Sequence, residues 1–449
     1  MPFHCLTGLV RFLPVCAAVS GATLLWTQAP AAQAQSAPDA VNAGPVQIKG
    51  RDTGSCVDLP RAVLASLVAS PRLGEAEAAI QGSEARLAQI RATGRPQVSL
   101  YTRAADGEVG LTTGRTDNQV GLVLSHRLFD FGQTRFQRLA AEARLAASRA
   151  GRDESRLDEA AATAEAFLNV LEARDRLAAA EAREARLASL AGDLPRQLET
   201  GVITAQTAAG IRADAAVARA SRVDVALRLS EAEVRLHTLI DAQIPACPGT
   251  TDVDALLTGR LPPPDSDLEG AALDASAQRT RLKAEEAAAR NDVVRATRAN
   301  LPTLEVEAAA AQIYDEVLET WEDGSRVGLA FSSPIYTGGG QRARVAEARA
   351  EVRAAELGRA RLERDLREAI RLNRARLVAA AGLAEARIAA RDSLDEERNA
   401  LRRAFELGQT PYREFARAES DFQIAVIEAI EAIYATRQAQ LALLYLLDR

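Results

Sequence analysis

Two hydrophobic periods divide the chain. Over Val98–Ala105, Gln119–Leu128, Leu304–Ile313 and Arg326–Ile335 apolar residues alternate with small or polar ones. Val120, Leu122 and Leu124 stand against Gly121 and Ser125, and Leu304, Val306 and Ala308 against Glu305 and Glu307. A two-residue period gives a strand one apolar and one wet face. The polar stretches Asp106–Asn118 and Asp315–Ser325 join these segments in pairs, which predicts two β-hairpins. Elsewhere the period is helical. Seams at Leu157, Ala164 and Leu171, and at Leu366, Ile370, Leu377, Ala381, Ala384 and Ile388, predict long helices whose alanines allow close approach. Helical stretches, Arg61–Thr93 and Leu268–Arg298, also precede each hairpin. Gly132 to Gly201 and Gly339 to Gly408 each span 69 residues. A continuous helix of that length would be roughly 100 Å long. Gly192 and Pro195 are expected to end or kink the first one shortly before Gly201.

The two hairpins belong to an internal repeat. Val120-Gly121-Leu122-Val123-Leu124-Ser125 matches Val327-Gly328-Leu329-Ala330-Phe331-Ser332 at an offset of 207 residues. The same offset carries Leu128-Phe129 to Ile335-Tyr336, Gly132 to Gly339, Arg135 to Arg342, Gly201 to Gly408 and Asp214 to Asp421. One register held over more than a hundred positions predicts a tandem duplication. The expected organisation is a first repeat over 58–246, a linker over 247–267 that contains Pro262-Pro263-Pro264, and a second repeat over 268–449. The hairpins then occupy 98–128 and 304–335, and the helical tips lie near 192–204 and 405–412.

Composition narrows the class. Of 449 residues, 4% are aromatic and a single one is methionine, with alanine, arginine and glutamate dominant. That profile suits long packed helices rather than an enzyme core. No Ser/His/Asp set, phosphate loop or paired-carboxylate cleft can be assembled, so no catalytic role is expected. The net charge of −6 argues against nucleic-acid binding. Residues 1–34 read as a secretory signal, with Arg11, an apolar run from Phe12 to Trp26 and the small-residue site Ala32-Gln33-Ala34. Residues 35–57 form an N-terminal extension, and Leu13-Pro14-Val15-Cys16 is a poor lipoprotein signal. Cleavage would leave Cys56 and Cys247 in an oxidising compartment, where a disulfide between them is expected. Neither has a Cys or His at metal-ligand spacing, and no metal or cofactor site is expected.

Four short amphipathic strands cannot close a membrane barrel, because spanning barrels start at eight. Strands surrounded by lipid must nevertheless close so that every backbone group is paired. The chain would therefore share its barrel with further copies, eight strands in a dimer or twelve in a trimer. Glu305 and Glu307 would face the water-filled side.

These residues resemble the outer membrane efflux protein family, the TolC-like channels, over nearly all of 58–449. The opening Leu59-Pro60-Arg61-Ala62-Val63 followed by Ser70-Pro71-Arg72-Leu73 is similar to that family's. So are the strand-to-helix turns, Ser125-His126-Arg127-Leu128-Phe129-Asp130-Phe131-Gly132 and Ser333-Pro334-Ile335-Tyr336-Thr337-Gly338-Gly339. The helix tips Glu199-Thr200-Gly201-Val202-Ile203-Thr204 and Glu406-Leu407-Gly408-Gln409-Thr410 complete the likeness.

The resemblance implies a mainly α protein with a small β part. Tandem long helical hairpins would form a trimeric α-barrel, and four strands per protomer a shared 12-stranded transmembrane β-barrel. It also implies a homotrimer in outer membrane lipid that works with a periplasmic adaptor and an inner-membrane pump, either proton-driven or an ABC exporter. The cargo would be small molecules such as drugs, or secreted proteins. In that family, acids six and nine residues after the second tip glycine ring a periplasmic aperture. Here those positions are Glu414 and Arg417, and the first copy has Thr207 and Gly210. Gly201, Thr207, Gly408, Thr410, Glu414 and Arg417 are thus aperture candidates, with Arg417 placed to pair with Glu414. Competing readings are a periplasmic adaptor and a structural coiled-coil protein. The duplicated hairpins and glycine-rich turns speak against both.

Overall fold

The computed structural model describes residues 56–103, 119–201, 203–248, 251–261, 263, 267–315 and 320–448. The expected signal and most of the extension, the loop Asp106–Asn118, Val202, Pro262 and Pro264 lie outside the described residues. The elements in order are α1 (Leu59–Ala69), α2 (Pro71–Ala92), β1 (Gln97–Arg103), β2 (Gln119–Phe129), α3 (Gln133–Gly192), α4 (Leu194–Glu199) and α5 (Ala205–Ile240). There follow α6 (Thr251–Arg260), α7 (Leu268–Ala275), α8 (Ala277–Arg298), β3 (Thr303–Asp315), β4 (Thr320–Ser332), α9 (Gly340–Glu406) and α10 (Tyr412–Asp448).

The helical stretch before each hairpin is two helices rather than one. Ser70 precedes Pro71, whose ring drives it out of the helical region to ψ 116°, so α1 stops and α2 starts with proline in its first turn. In the second copy Ser276 makes the break without a proline. Its hydroxyl accepts from the Arg279 N–H at 3.1 Å and caps α8.

The four strands form one antiparallel sheet in the order β1-β2-β3-β4. Both strands of the second hairpin run further toward its tip than expected, to Asp315 and from Thr320, and β4 stops at Ser332 rather than Ile335. Glu322, Asp323 and Ser325 read as loop by polarity, but they pair in register with Ile313, Gln312 and Ala310. Gln312 donates to Asp323 across the strands at 3.1 Å, and Tyr314 lies opposite Trp321 with ring centroids 5.5 Å apart. At the other end Pro334 lacks the N–H that a further ladder bond would need.

The long helices α3 and α9 contain 60 and 67 residues, roughly 90 and 100 Å at the helical rise. Helices α3 and α5, and α9 and α10, pair as antiparallel hairpins, while α3 also packs on α8 and α10. The largest core lies where α1, α3, α5, α6 and α10 meet, around Phe167, Leu168, Leu171, Leu236 and Tyr434. The stretch expected as a linker contributes α6 to it, with Val253 and Leu257 buried, because two apolar residues four apart share one helical face. Arg437 holds this helix by a bidentate pair with Asp254 at 2.7 and 2.9 Å. The Cys56–Cys247 disulfide closes the same region, beside a parallel bridge between Val57 and Ala246.

Candidate functional site

The sheet carries two unlike faces. The ladder places Val98 opposite Leu124, Leu124 opposite Ala308, and Ala308 opposite Val327; a step away Leu122, Val306 and Leu329 continue the same surface. Although apolar, this face is not covered: Val327 is 79% exposed, and Val98, Leu100, Leu122 and Leu329 are all exposed. A folded chain in water buries such a surface, so its exposure marks a contact. Aromatic residues bound it, Phe129 and Phe331 at the helix end and Tyr314 with Trp321 at the tip end. The eleven residues from Leu304 to Tyr314 rise roughly 25 Å at a normal barrel tilt, comparable with an outer-membrane apolar band, and the Gln312–Asp323 pair lies on this face next to the Tyr314–Trp321 rim.

The opposite face is polar and closely packed. Arg127 Nε donates to Glu305 at 2.9 Å from the facing strand, and Glu307 lies opposite Ser125. The two glutamates thus share the face that includes Ser99 and Tyr101. Gly121 is required here, because a Cβ would stand 2.7 Å from the Ala311 Cβ and 2.9 Å from the Tyr101 ring. The outer edges of β1 and β4 have no neighbour among the described residues, so the sheet is open at both sides.

Sheet joins helix through Asp130 and Gly132. Gly132 at φ 82° and its repeat partner Gly339 at φ 86° take the left-handed conformation that starts each long helix. Asp130 accepts from the Gly132 N–H at 2.9 Å and the Thr134 N–H at 2.7 Å, and from the Thr134 hydroxyl. Burial pushes its carboxyl upward, but those bonds and the nearby Arg127 outweigh burial and hold it below the usual range. A depressed carboxylate stabilises the fold above its unfolded pKa, and that contribution is lost as pH falls. Asp130→Asn should therefore destabilise the fold at neutral pH by about 1–3 kcal/mol and lower its melting temperature. Thermal melts from pH 7 to pH 3 should bring variant and wild type together. A gap that stays constant across the range would contradict this role for the turn.

The helix tips meet at the far end. Gly201 and Gly408 repeat the left-handed turn, at φ 72° and 71°. Thr204 caps α5, accepting from the Thr207 N–H at 3.1 Å. Leu194, Ala208, Ile211, Tyr412 and Phe415 pack between the two tips, with Gly210 against the Tyr412 ring. Tyr412 donates to Asp214 at 2.7 Å. Burial, and then the Asp214 carboxylate, push the phenol well above its ordinary pKa, so it remains a donor. Glu414 and Arg417 are exposed and Thr410 is half-buried. The expected Glu414–Arg417 pair does not form. Arg417 reaches forward to Asp421 at 3.8 Å, one helical turn on, where an acid and a base share a face.

A turn or two deeper lies a cluster that sequence reading missed. Glu419, 2% exposed, accepts from Arg186 at 2.8 and 3.1 Å, with Arg398 at 3.8 Å. The Arg398 guanidinium lies over the Phe422 ring at 4.2 Å. A buried carboxylate needs such partners, but no local spacing links residues more than two hundred positions apart. Asp214 did carry a signal, being one of the positions conserved in register between the copies, yet nothing marked Tyr412 as its partner. Among the described residues no group of His, Cys, Asp and Glu could hold a metal ion, and no helix is long and apolar enough to cross a membrane.

Comparisons with known proteins agree with this geometry. A family model described as "Outer membrane efflux protein" matches residues 64–241, within the first copy. The chain is 27% identical over 389 residues to the outer membrane efflux protein BepC of Brucella suis biovar 1 (strain 1330), covering 83% of this chain and 81% of that one. Its fold superposes on the CmeC outer membrane channel of Campylobacter jejuni with a TM-score of 0.76 at 14% identity, covering 87% and 85% of the two chains. The open-state MtrE outer membrane channel of Neisseria gonorrhoeae gives 0.73 at 18% identity, covering 87% and 88%. In sequence the chain is thus similar to outer membrane efflux proteins, over residues 64–241 by the family model and over 83% of its length by BepC, and its fold is that of the CmeC and MtrE channels.

Proposed function

We propose that the chain is one protomer of a homotrimeric exit duct in the outer membrane of a Gram-negative bacterium. Three open sheets complete a twelve-stranded barrel, and the long helices extend the tube into the periplasm. The observation that carries this reading is the open sheet with an exposed apolar face, continuous with the long helices. Lipid covers that face, and neighbouring protomers pair the two free edges. Exposed apolar residues on α5, Val217, Leu227 and Val234, give neighbouring helices a surface to pack on. The duct conducts cargo passively and catalyses nothing. It receives cargo from an adaptor and an inner-membrane pump, and its own walls do not name that cargo. Heat-modifiable trimers in outer membrane fractions that conduct in planar bilayers support the reading. Soluble periplasmic monomers would overturn it. Deleting the gene and comparing drug susceptibility with the secreted proteins separates drug efflux from protein export.

The second-copy tip is the moving part of the aperture, and the Tyr412–Asp214 hydrogen bond holds it against the first. Gly201 and Gly408 set the turns, Thr207 and Thr410 flank them, and Glu414 and Arg417 present charge to the opening. Removing the phenol hydroxyl leaves Asp214 without its donor, a loss of about 1–3 kcal/mol. Tyr412→Phe should accordingly raise the open fraction of single channels by about tenfold. Reversing both charges, Glu414→Arg with Arg417→Glu, should change ion selectivity. An open fraction unchanged by Tyr412→Phe removes the latch, and unchanged selectivity removes the charged ring.

A further inference from the structure

We propose that the two strand-to-helix turns of each protomer form a collar that binds the phosphate groups of anionic phospholipids in the periplasm-facing leaflet. The inference rests on the outer membrane reading given above. Each turn exposes large apolar side chains at the end of the sheet: Leu128, Phe129 and Phe131 in the first copy, Ile335 and Tyr336 in the second. Ile335 is 97% and Tyr336 88% exposed, far more than a turn in water would leave uncovered. Aromatic residues at this level sit at the boundary between acyl chains and headgroups.

Just beyond them each copy places an arginine at the same repeat position, Arg135 in α3 and Arg342 in α9. Both are exposed, and neither has a carboxylate partner among the described residues. Their position runs against ordinary helix electrostatics. Each lies three residues into a long helix, where the positive end of the helix dipole favours acids and disfavours cations. Neither helix has an acid in its first turn. The carboxylate of the first strand-to-helix turn, Asp130, is already engaged by Thr134 and Gly132. Arg298 is likewise occupied, donating to the Phe131 carbonyl at 2.8 Å and stacking on Phe136. Two unpaired cations set beside helix N-termini, one turn below apolar anchors, lack an anion that their own protomer does not supply. A phospholipid supplies both parts at the right depth: acyl chain for the anchors and phosphate for the arginines.

The test uses full-length trimer purified in detergent and titrated with phosphatidylglycerol or phosphatidylcholine, with retained lipid counted by native mass spectrometry. A cation near an anionic surface contributes roughly fivefold, so wild type should prefer phosphatidylglycerol by about fivefold or more. The double variant Arg135→Gln/Arg342→Gln should lose that preference, and Arg135→Lys/Arg342→Lys should keep it. Arg413→Gln, which removes an exposed charge at the opposite end, should leave it intact. Equal preference in wild type and the glutamine variant, or none in wild type, overturns the collar. The same preparations are checked for conductance in planar bilayers. Wild-type trimers that conduct without lipid preference sink the collar alone, whereas preparations that never conduct sink the duct reading and the collar together.

Discussion

Val327→Arg is expected to abolish assembly in the outer membrane while leaving the helical part of the chain folded. Val327 stands midway up the sheet, opposite Ala308, with Phe331 toward one rim and Trp321 toward the other. An exposed valine in water accepts arginine at little cost. In a lipid-facing strand at mid-depth, the same change costs about 2–4 kcal/mol per protomer. In the proposed trimer, three copies multiply the penalty. The measurement is the fraction of heat-modifiable trimer in outer membrane preparations, with circular dichroism of the residual soluble protein. Gly328→Arg changes the adjacent residue, whose side chain would point to the polar face, and should be far better tolerated. Equal yields for the two variants would mean that the apolar face does not meet lipid.

Removing the disulfide should have the other large effect. Cys56 and Cys247 lie 191 residues apart, and opening so long a loop costs about 3–5 kcal/mol in small proteins. The bond ties the start of α1 to the end of the first repeat, and α6 and Tyr434 pack in the same core. Tyr434 also donates to Asp175 at 2.7 Å, so loosening the core would disturb a half-buried polar contact. Cys56→Ser/Cys247→Ser should melt well below wild type, and reductant should lower the wild-type transition to the variant's. A reductant-insensitive transition would show that the surrounding packing carries the region alone. In the proposed trimer both measurements are made on the assembled protein, because association adds to the stability of each protomer.

Much of this fold is legible in the sequence because the repeat gives every feature twice. Alternation at Val120 to Leu124 and at Val327 to Phe331 places both hairpins, and the glycines at 132, 339, 201 and 408 mark where the helices begin and turn. Boundaries are harder where polarity and period disagree. Glu322 and Asp323 look like loop residues, yet strand β4 includes them because its partners Ile313 and Gln312 are in register. Helix α6 was hidden among prolines and carries only two buried apolar residues, too few to define a period. Tertiary pairs at the tip are the least legible. Glu414 and Arg417 have helical spacing for a bond, but Asp421 offers Arg417 an equally spaced alternative one turn on. Tyr412–Asp214 and Arg186–Glu419 depend on how two hairpins lie against each other, and no local pattern encodes that.

The single disulfide also changes the topology of the molecule. With Cys56 joined to Cys247, the first repeat is a covalently closed ring from which the second hangs as a tail. A protease that cuts one peptide bond inside that ring, at the hairpin tip or at the Gly201 turn, leaves every part still attached. The same single cut in the second repeat severs the chain. Two copies of one architectural unit, alike in backbone, therefore differ in how they withstand damage, and the more robust is the one whose two ends are sewn together.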